Sequence, residues 1–199
     1  MPVQIGCVVE GHGEVTSVPA LIRRIAYEVD PALVVEILHP IRVTKSKLLK
    51  PGELERAAQL AALNTANRGG ILVLLDSDDD CPAHIGPELL ERVRAARGDV
   101  PSAVVLAKRE FEAWFLASAE SLRGHRALAA DLTPPDHPEE IGGAKEWLGR
   151  RMAGGSYVST LDQTSLTHSL NFALARRASS FDKCYRDVTS LLQTLRTRG

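Results

Sequence analysis

The sequence predicts an α/β protein: a mostly parallel sheet of about four strands flanked by helices, followed by a C-terminal helical extension. Three observations predict it. Short apolar runs at 3–9, 33–43, 71–75 and 103–107 alternate with amphipathic stretches, the order that yields parallel strands joined by crossover helices. Runs such as ILVLL at 71–75 are continuously apolar, as strands covered on both faces can be. The 199 residues suffice for one domain that buries roughly 70% of its unfolded surface.

Taken in order, VQIGCVV (3–9) is the first strand, and the loop EGHGE leads to a helix through PALIRRIAYEV. Leu21, Ile22, Ile25 and Val29 share one face of that helix, Thr16 or Ser17 is its expected N-cap, and Pro19 is expected in its first turn. Residues 33–43 form a second strand, placed at an edge or bulge by Pro40. A basic loop, 44–52, precedes a helix over ELERAAQLAALNTAN that Gly69 and Gly70 stop. The third strand, 71–75, runs into the acidic loop DSDDD, and a helix over PELLERVRAAR follows. The fourth strand, 103–107, leads to a helix from about Glu110 through EFEAWFLAS.

After about Ser121 the pattern changes: DLTPPDHPEE and AGGSYVSTLDQT read as breaks, and the final stretch as two amphipathic helices. In the last, Phe181, Cys184, Tyr185, Val188, Leu191, Leu192 and Leu195 make an apolar stripe. Residues 1–120 are thus expected to form the α/β core and 121–199 a helical extension packed on it.

Composition narrows the class. Apolar content of 44% and charged content of 25% are ordinary for a globular protein. No apolar run is long enough to span a bilayer, and MPVQIGCVVEGHGE lacks the charged and apolar regions of a signal peptide. Cys7, Cys81 and Cys184 are scattered and odd in number, which fits a reducing cytoplasm rather than a disulfide framework. A net charge of −1 gives no global attraction to nucleic acid, so such binding must rest on local clusters: Lys45, Lys47 and Lys50, then Arg150 with Arg151, and Arg176 with Arg177.

Each early strand ends in acid. Glu10 follows the first, with Glu14 four residues on; Asp76, Asp78, Asp79 and Asp80 follow the third; Glu110 and Glu112 follow the fourth. In an open parallel sheet, ligands bind outside the carboxyl ends of the strands, so these groups are expected at one edge. Like charges about 4 Å apart repel by ~4 kcal/mol at an effective dielectric of 20, so a packed group needs protons or a cation. Hard oxygen donors suit Mg²⁺, Mn²⁺ or Ca²⁺, and a pair of such ions suits phosphodiester hydrolysis. Asp79 is expected to turn outward, and Asp80 either ligates or closes the turn before Pro82. The competing reading of DSDDD is a solvated acidic turn.

Other signals are weaker. EGHGE matches neither dinucleotide nor phosphate-loop motifs, and its glycines serve a tight turn. Cys81 and His84 lack the second pair a structural zinc needs, and no G-x-S-x-G marks a serine nucleophile. Tyr157 reads as packing or backbone positioning, and Trp114 and Trp147 as core.

The glutamate after the first strand (VVEGHGE) and the D-x-D after a later one (LLDSD) resemble the TOPRIM domain, a TOPRIM/Rossmann-like metal-binding fold of topoisomerases, primases, recombination factors and OLD-family nucleases. The E-x-x-x-E pair and REFEAWFLAS look like the OLD-family branch. With GAKEWL and SYVSTLDQ added, the chain resembles a small bacterial family catalogued as domain of unknown function 4276 over most of its length. The resemblance implies a metal-dependent nuclease acting on DNA, with one or two Mg²⁺ or Mn²⁺ ions, some relatives standing beside an ATPase partner in phage-defence settings. It implies Glu10, Asp76 and Asp78 as the core metal site, Glu14 with Glu110 or Glu112 as a second, and Lys145 neutralising transition-state charge. The alternative is a non-catalytic, metal-binding regulatory subunit of an ATPase complex. Aspartyl-phosphate chemistry ranks last, since no D-x-D-x-[TV] follows the first strand.

Overall fold

The structure is a computed structural model that describes residues 2–198. The sheet is wholly parallel. At its centre β1 (Val3–Val9) pairs with β4 (Gly70–Asp76), and β4 pairs in turn with β5 (Ser102–Ala107). The other side of β1 is shared by two short strands, β2 (Val35–Ile37) and β3 (Ile41–Arg42). The helices are α1 (Glu14–Val29), α2 (Lys45–Leu48), α3 (Glu53–Asn64), α4 (Pro82–Ala96), α5 (Ala113–Ala117), α6 (Ala144–Gly149), α7 (Ser159–Ser169), α8 (Phe172–Ala175) and α9 (Ser179–Arg198).

The strand period of two divides the core into two layers. Ile5, Cys7, Val9, Leu72, Leu74 and Val105 face one way, onto α1, α5 and α9. Val8, Ile71, Val73, Leu75, Val104 and Leu106 face the other way, onto α3 and α4. Gly6 lets α3 come close, since a Cβ there would lie 2.4 Å from the Ala61 carbonyl oxygen. The apolar stripe of α9 is buried as expected, apart from Tyr185, which donates from the rim to Glu28 at 3.0 Å.

Several elements differ from expectation. The second strand is broken, because Pro40 cannot donate to a ladder. The chain steps out at 38–40 while Leu38 and Val43 still donate to the Ile5 and Val9 carbonyls. Helix α1 begins at Glu14, ahead of the expected Thr16 or Ser17 cap, with Gly13 before it and no side-chain cap. Pro19 therefore lies past the first turn and leaves the Val15 carbonyl without its usual donor. The 44–52 loop holds α2, and the helix expected from Glu110 starts at Ala113.

The largest departure is α7, which occupies much of the expected break AGGSYVSTLDQT. Its buried residues are Asp162, Gln163, Leu166 and Thr167, three of them polar, so apolar periodicity cannot reveal it. Asp162 instead starts the helix, accepting from the Val158 amide at 2.8 Å in the manner of a capping box. It also pairs with Arg126 at 2.7 Å.

Candidate metal and phosphoryl site

Strands β1, β4 and β5 are adjacent and parallel, so their carboxyl ends open on one edge. Glu10 follows β1, Asp76 ends β4, and the chain from β5 reaches Glu110 and Glu112; Glu14 enters as the first residue of α1. Neighbouring strands place these acids together although they are far apart in sequence.

An inner group forms around Asp76. Its Oδ1 accepts from the Phe111 amide at 2.8 Å. Burial raises the Asp76 pKa well above the usual carboxylate range, the charges of Glu112 and Glu14 push it further, and Lys145 opposes. Glu112 is fully buried, and burial raises its pKa against the pull of Lys145. Glu14 accepts from the Gly11 amide and from Gln163 Nε2 at 3.3 Å. Glu10 is half-buried, and its pKa is raised by burial; the Lys45 amide lowers it, while Asp78 and Glu14 add to the rise.

Lys145 Nζ stands 3.1 Å from Glu110 and 3.3 Å from Glu112. Burial works against its charge, but Glu112, Asp76 and Glu110 outweigh it and hold it above the ordinary lysine range. Tyr157 closes the group. Its hydroxyl lies beside Glu112 without hydrogen-bond geometry, and burial followed by the Glu112 charge raises its pKa.

The outer group is organised by a different lysine. Lys45 is 7% exposed and reaches Asp78 at 3.0 Å and Asp80 at 2.9 Å. Burial disfavours its charge, yet the hydrogen bonds it donates to Asp80 and Asp78 more than restore it. Asp78 adopts a left-handed φ of 51°, which aspartate tolerates better than most residues. Asp79 turns outward to Arg109 at 3.3 Å. Glu110 is turned to α6, accepting from the Ala144 amide at 3.0 Å and from Lys145.

The structure therefore brings Glu10, Glu14, Asp76 and Glu112 into one interacting group with Lys145, places Asp78 beside Glu10, and turns Asp80 and Glu110 to lysines. Among the described residues no three His, Cys, Asp or Glu side chains are already arranged to hold one ion. The donor chemistry nonetheless fits a hard cation. The oxygens are carboxylate, and neighbouring acids add to the raised pKa values of Glu10, Asp76 and Glu112. Buried Glu10 Oε2 has no hydrogen-bond partner, while Glu112 Oε2 faces only the Lys145 ammonium at 3.3 Å. Buried carboxylate oxygens without donors are what a cation or its water shell satisfies.

Three residues at the site carried other assignments in the sequence. Lys45 reads there as one of three loop lysines, and nothing marks it as buried. Tyr157 reads as packing. Gln163 is visible only within SYVSTLDQ, because its contact with Glu14 spans two helices. The remaining basic clusters are largely engaged: Arg176 with Asp182, Arg177 with Glu120, and Arg151 over the Trp147 ring. Cys81 and His84 are both exposed.

A parallel α/β sheet with a buried acidic group at its carboxyl edge defines the class. Within it, the chain belongs to the family described as domain of unknown function (DUF4276), matched over residues 9–188. No curated protein and no solved structure matches the chain. Among the described residues no helix is long and apolar enough to cross a membrane.

Proposed function

We propose that the acidic edge holds Mg²⁺ or Mn²⁺ and hydrolyses phosphodiesters in DNA, as the resemblance to TOPRIM nucleases implies. The observation that carries this reading is the group Glu10, Glu14, Asp76 and Glu112, in which Glu14 and Glu112 are buried and Glu10 Oε2 has no hydrogen-bond partner. Four carboxylates at one edge against Lys145 leave a negative excess that a divalent cation balances.

Glu10, Asp76 and Asp78 would hold one ion, and Glu14 with Glu112 a second. The bound metal would make a hydroxide-like nucleophile available near neutral pH and neutralise phosphate oxygens. The Phe111 amide fixes the direction of Asp76, and Gln163 with the Gly11 amide fixes Glu14. Glu112, raised by burial, is suited to take a proton from water. Lys145, beside Glu112, supplies positive charge to a developing phosphate anion. For Asp78 to ligate, it must exchange Lys45 for metal, leaving the Lys45 ammonium on Asp80 and the Ser77 carbonyl.

A second reading, a metal-binding regulatory subunit of an ATPase complex, draws on Val158 and Leu161, which are 41% and 65% exposed where α7 begins. An ATPase partner in phage defence is compatible with both readings.

The test is cleavage of supercoiled plasmid and single-stranded DNA in Mg²⁺ or Mn²⁺, beside an Asp76→Ala/Asp78→Ala variant. Nicking by the parent that vanishes in the variant is the expected result. No nicking, with metal raising the parent's thermal midpoint alone, would replace hydrolysis with the regulatory reading.

A further inference from the structure

A cleft of about 910 Å³ runs along α1 from Thr16 to Tyr27. At its near end the Thr16 and Thr164 hydroxyls hydrogen-bond at 2.6 Å. Thr16 is two residues from Glu14, and Thr164 follows the Gln163 that holds Glu14. At its far end is Tyr27, 68% exposed. Between these ends, eleven residues of helix cover roughly 16 Å.

The lining is apolar below and basic above. Ile37 and Pro40, where the edge strand breaks, form part of the floor. Arg23 is exposed, lines the cleft, and has no ion-pair partner among the described residues. Arg24 is committed to the fold, donating to the Thr167 carbonyl at 2.6 Å and stacking over Phe172 at 4.2 Å. His39 and His168, both exposed, face the same space. The one acid of the lining, Glu28, accepts the Tyr185 hydroxyl.

We infer that this cleft is a track for single-stranded nucleic acid that delivers the strand to the acidic edge. An exposed aromatic ring at a cleft with a free guanidinium is the combination that binds unpaired strands: bases stack on the ring while cations follow the phosphates. A duplex hides its base faces and would leave Tyr27 and the apolar floor unused. The Thr16–Thr164 hydroxyls mark the end of the cleft closest in sequence to Glu14. The direction of the track rests on the hydrolase reading; the binding itself does not.

The experiment is fluorescence anisotropy of a labelled oligothymidylate in EDTA, with Arg23→Glu, Tyr27→Ala and Asp76→Asn variants, and plasmid nicking and size-exclusion chromatography on the same proteins. Arg23 and Tyr27 are exposed, so their variants fold. The parent is expected to bind in a salt-sensitive way. Tyr27→Ala should weaken binding roughly tenfold, Arg23→Glu at least as much, and Asp76→Asn should not weaken it. Binding unchanged in both cleft variants, or no binding by the parent, overturns the inference. So does a cleft substitution that alters self-association instead of strand binding, since a second copy would then be the occupant. Metal-dependent nicking with cleft-independent binding removes the track and leaves the hydrolase. Cleft-dependent binding without any nicking removes the hydrolase and leaves the track.

Discussion

Gln163 Nε2 donates to Glu14 Oε1 at 3.3 Å, joining residues 149 positions apart. The acidic edge is therefore not built by the sheet alone. Helix α7 lies along α1 and sets the orientation of one of its carboxylates. The closeness of the two helices depends on Gly13, where a Cβ would lie 1.9 Å from Gln163 Oε1 and 2.9 Å from the Ser159 carbonyl oxygen.

Gly13→Ala should consequently cost about 1–3 kcal/mol through overpacking, read as a drop of several degrees in thermal midpoint. Adding Gln163→Ala removes the nearest obstruction and should recover part of the loss. Strict additivity of the two substitutions would mean that they do not couple, and that the contact is not the cause.

Lys45 donates to the Ser77 carbonyl as well as to Asp78 and Asp80. Lys45→Met would leave a buried acceptor and two aspartates without their cation, at a cost of about 1–3 kcal/mol in metal-free protein. If Asp78 turns to metal in the working site, Mn²⁺ should restore more midpoint to this variant than to the parent. An equal metal effect in both proteins would show that Lys45 and metal do not share Asp78.

Glu139 is a helix cap brought from forty residues away. Its carboxylate accepts the Ser179 and Ser180 amides at 2.9 and 2.8 Å and the Ser179 hydroxyl at 2.8 Å. Negatively charged groups at a helix N-terminus accept from its free amides and are attracted by the positive end of the helix dipole. Glu139→Ala should lower stability by about 1–2 kcal/mol, with Glu139→Gln losing less. Urea denaturation followed by circular dichroism would measure both, and wild-type stability in Glu139→Ala would contradict the cap.

Asp182 is held below the usual carboxylate range by hydrogen bonds from Arg176 and then Arg186. A depressed pKa in the folded state adds stability above the unfolded value, near 4, and that stability is lost as pH falls through the folded pKa. Asp182→Asn should cost under about 1 kcal/mol near neutrality, as surface pairs do. The difference from the parent should close in melts below pH 4; a gap that persists there would argue against an ionic origin.

Glu10, Asp76 and Glu112 shift in the opposite direction, raised mainly by burial. Their preference for the proton favours the metal-free fold at low pH, and that contribution is lost as pH rises through their folded pKa values. Protons and metal compete for the same oxygens. Mn²⁺ should thus raise the thermal midpoint more at pH 7.5 than at pH 5, and by less in Asp76→Ala/Asp78→Ala than in the parent. A metal shift independent of pH would place binding elsewhere.

The sequence by itself determined the parallel α/β order, the continuously apolar strands, the buried face of α9, and which acids stand at strand ends. These follow from periodicity and chain order, which are local properties. It missed the break at Pro40 only in extent, and it missed α7 because the buried side of that helix is largely polar. Tertiary structure decided the rest. Pairing of β1, β4 and β5 turned separated acids into one group with shifted pKa values. Long-range contacts assigned Lys45 to Asp78 and Asp80, turned Glu110 to α6, and set Gln163 and Tyr157 beside Glu14 and Glu112. A carboxylate's charge and ligand capacity depend on burial and on neighbours within a few ångströms, and those neighbours come from distant parts of the chain.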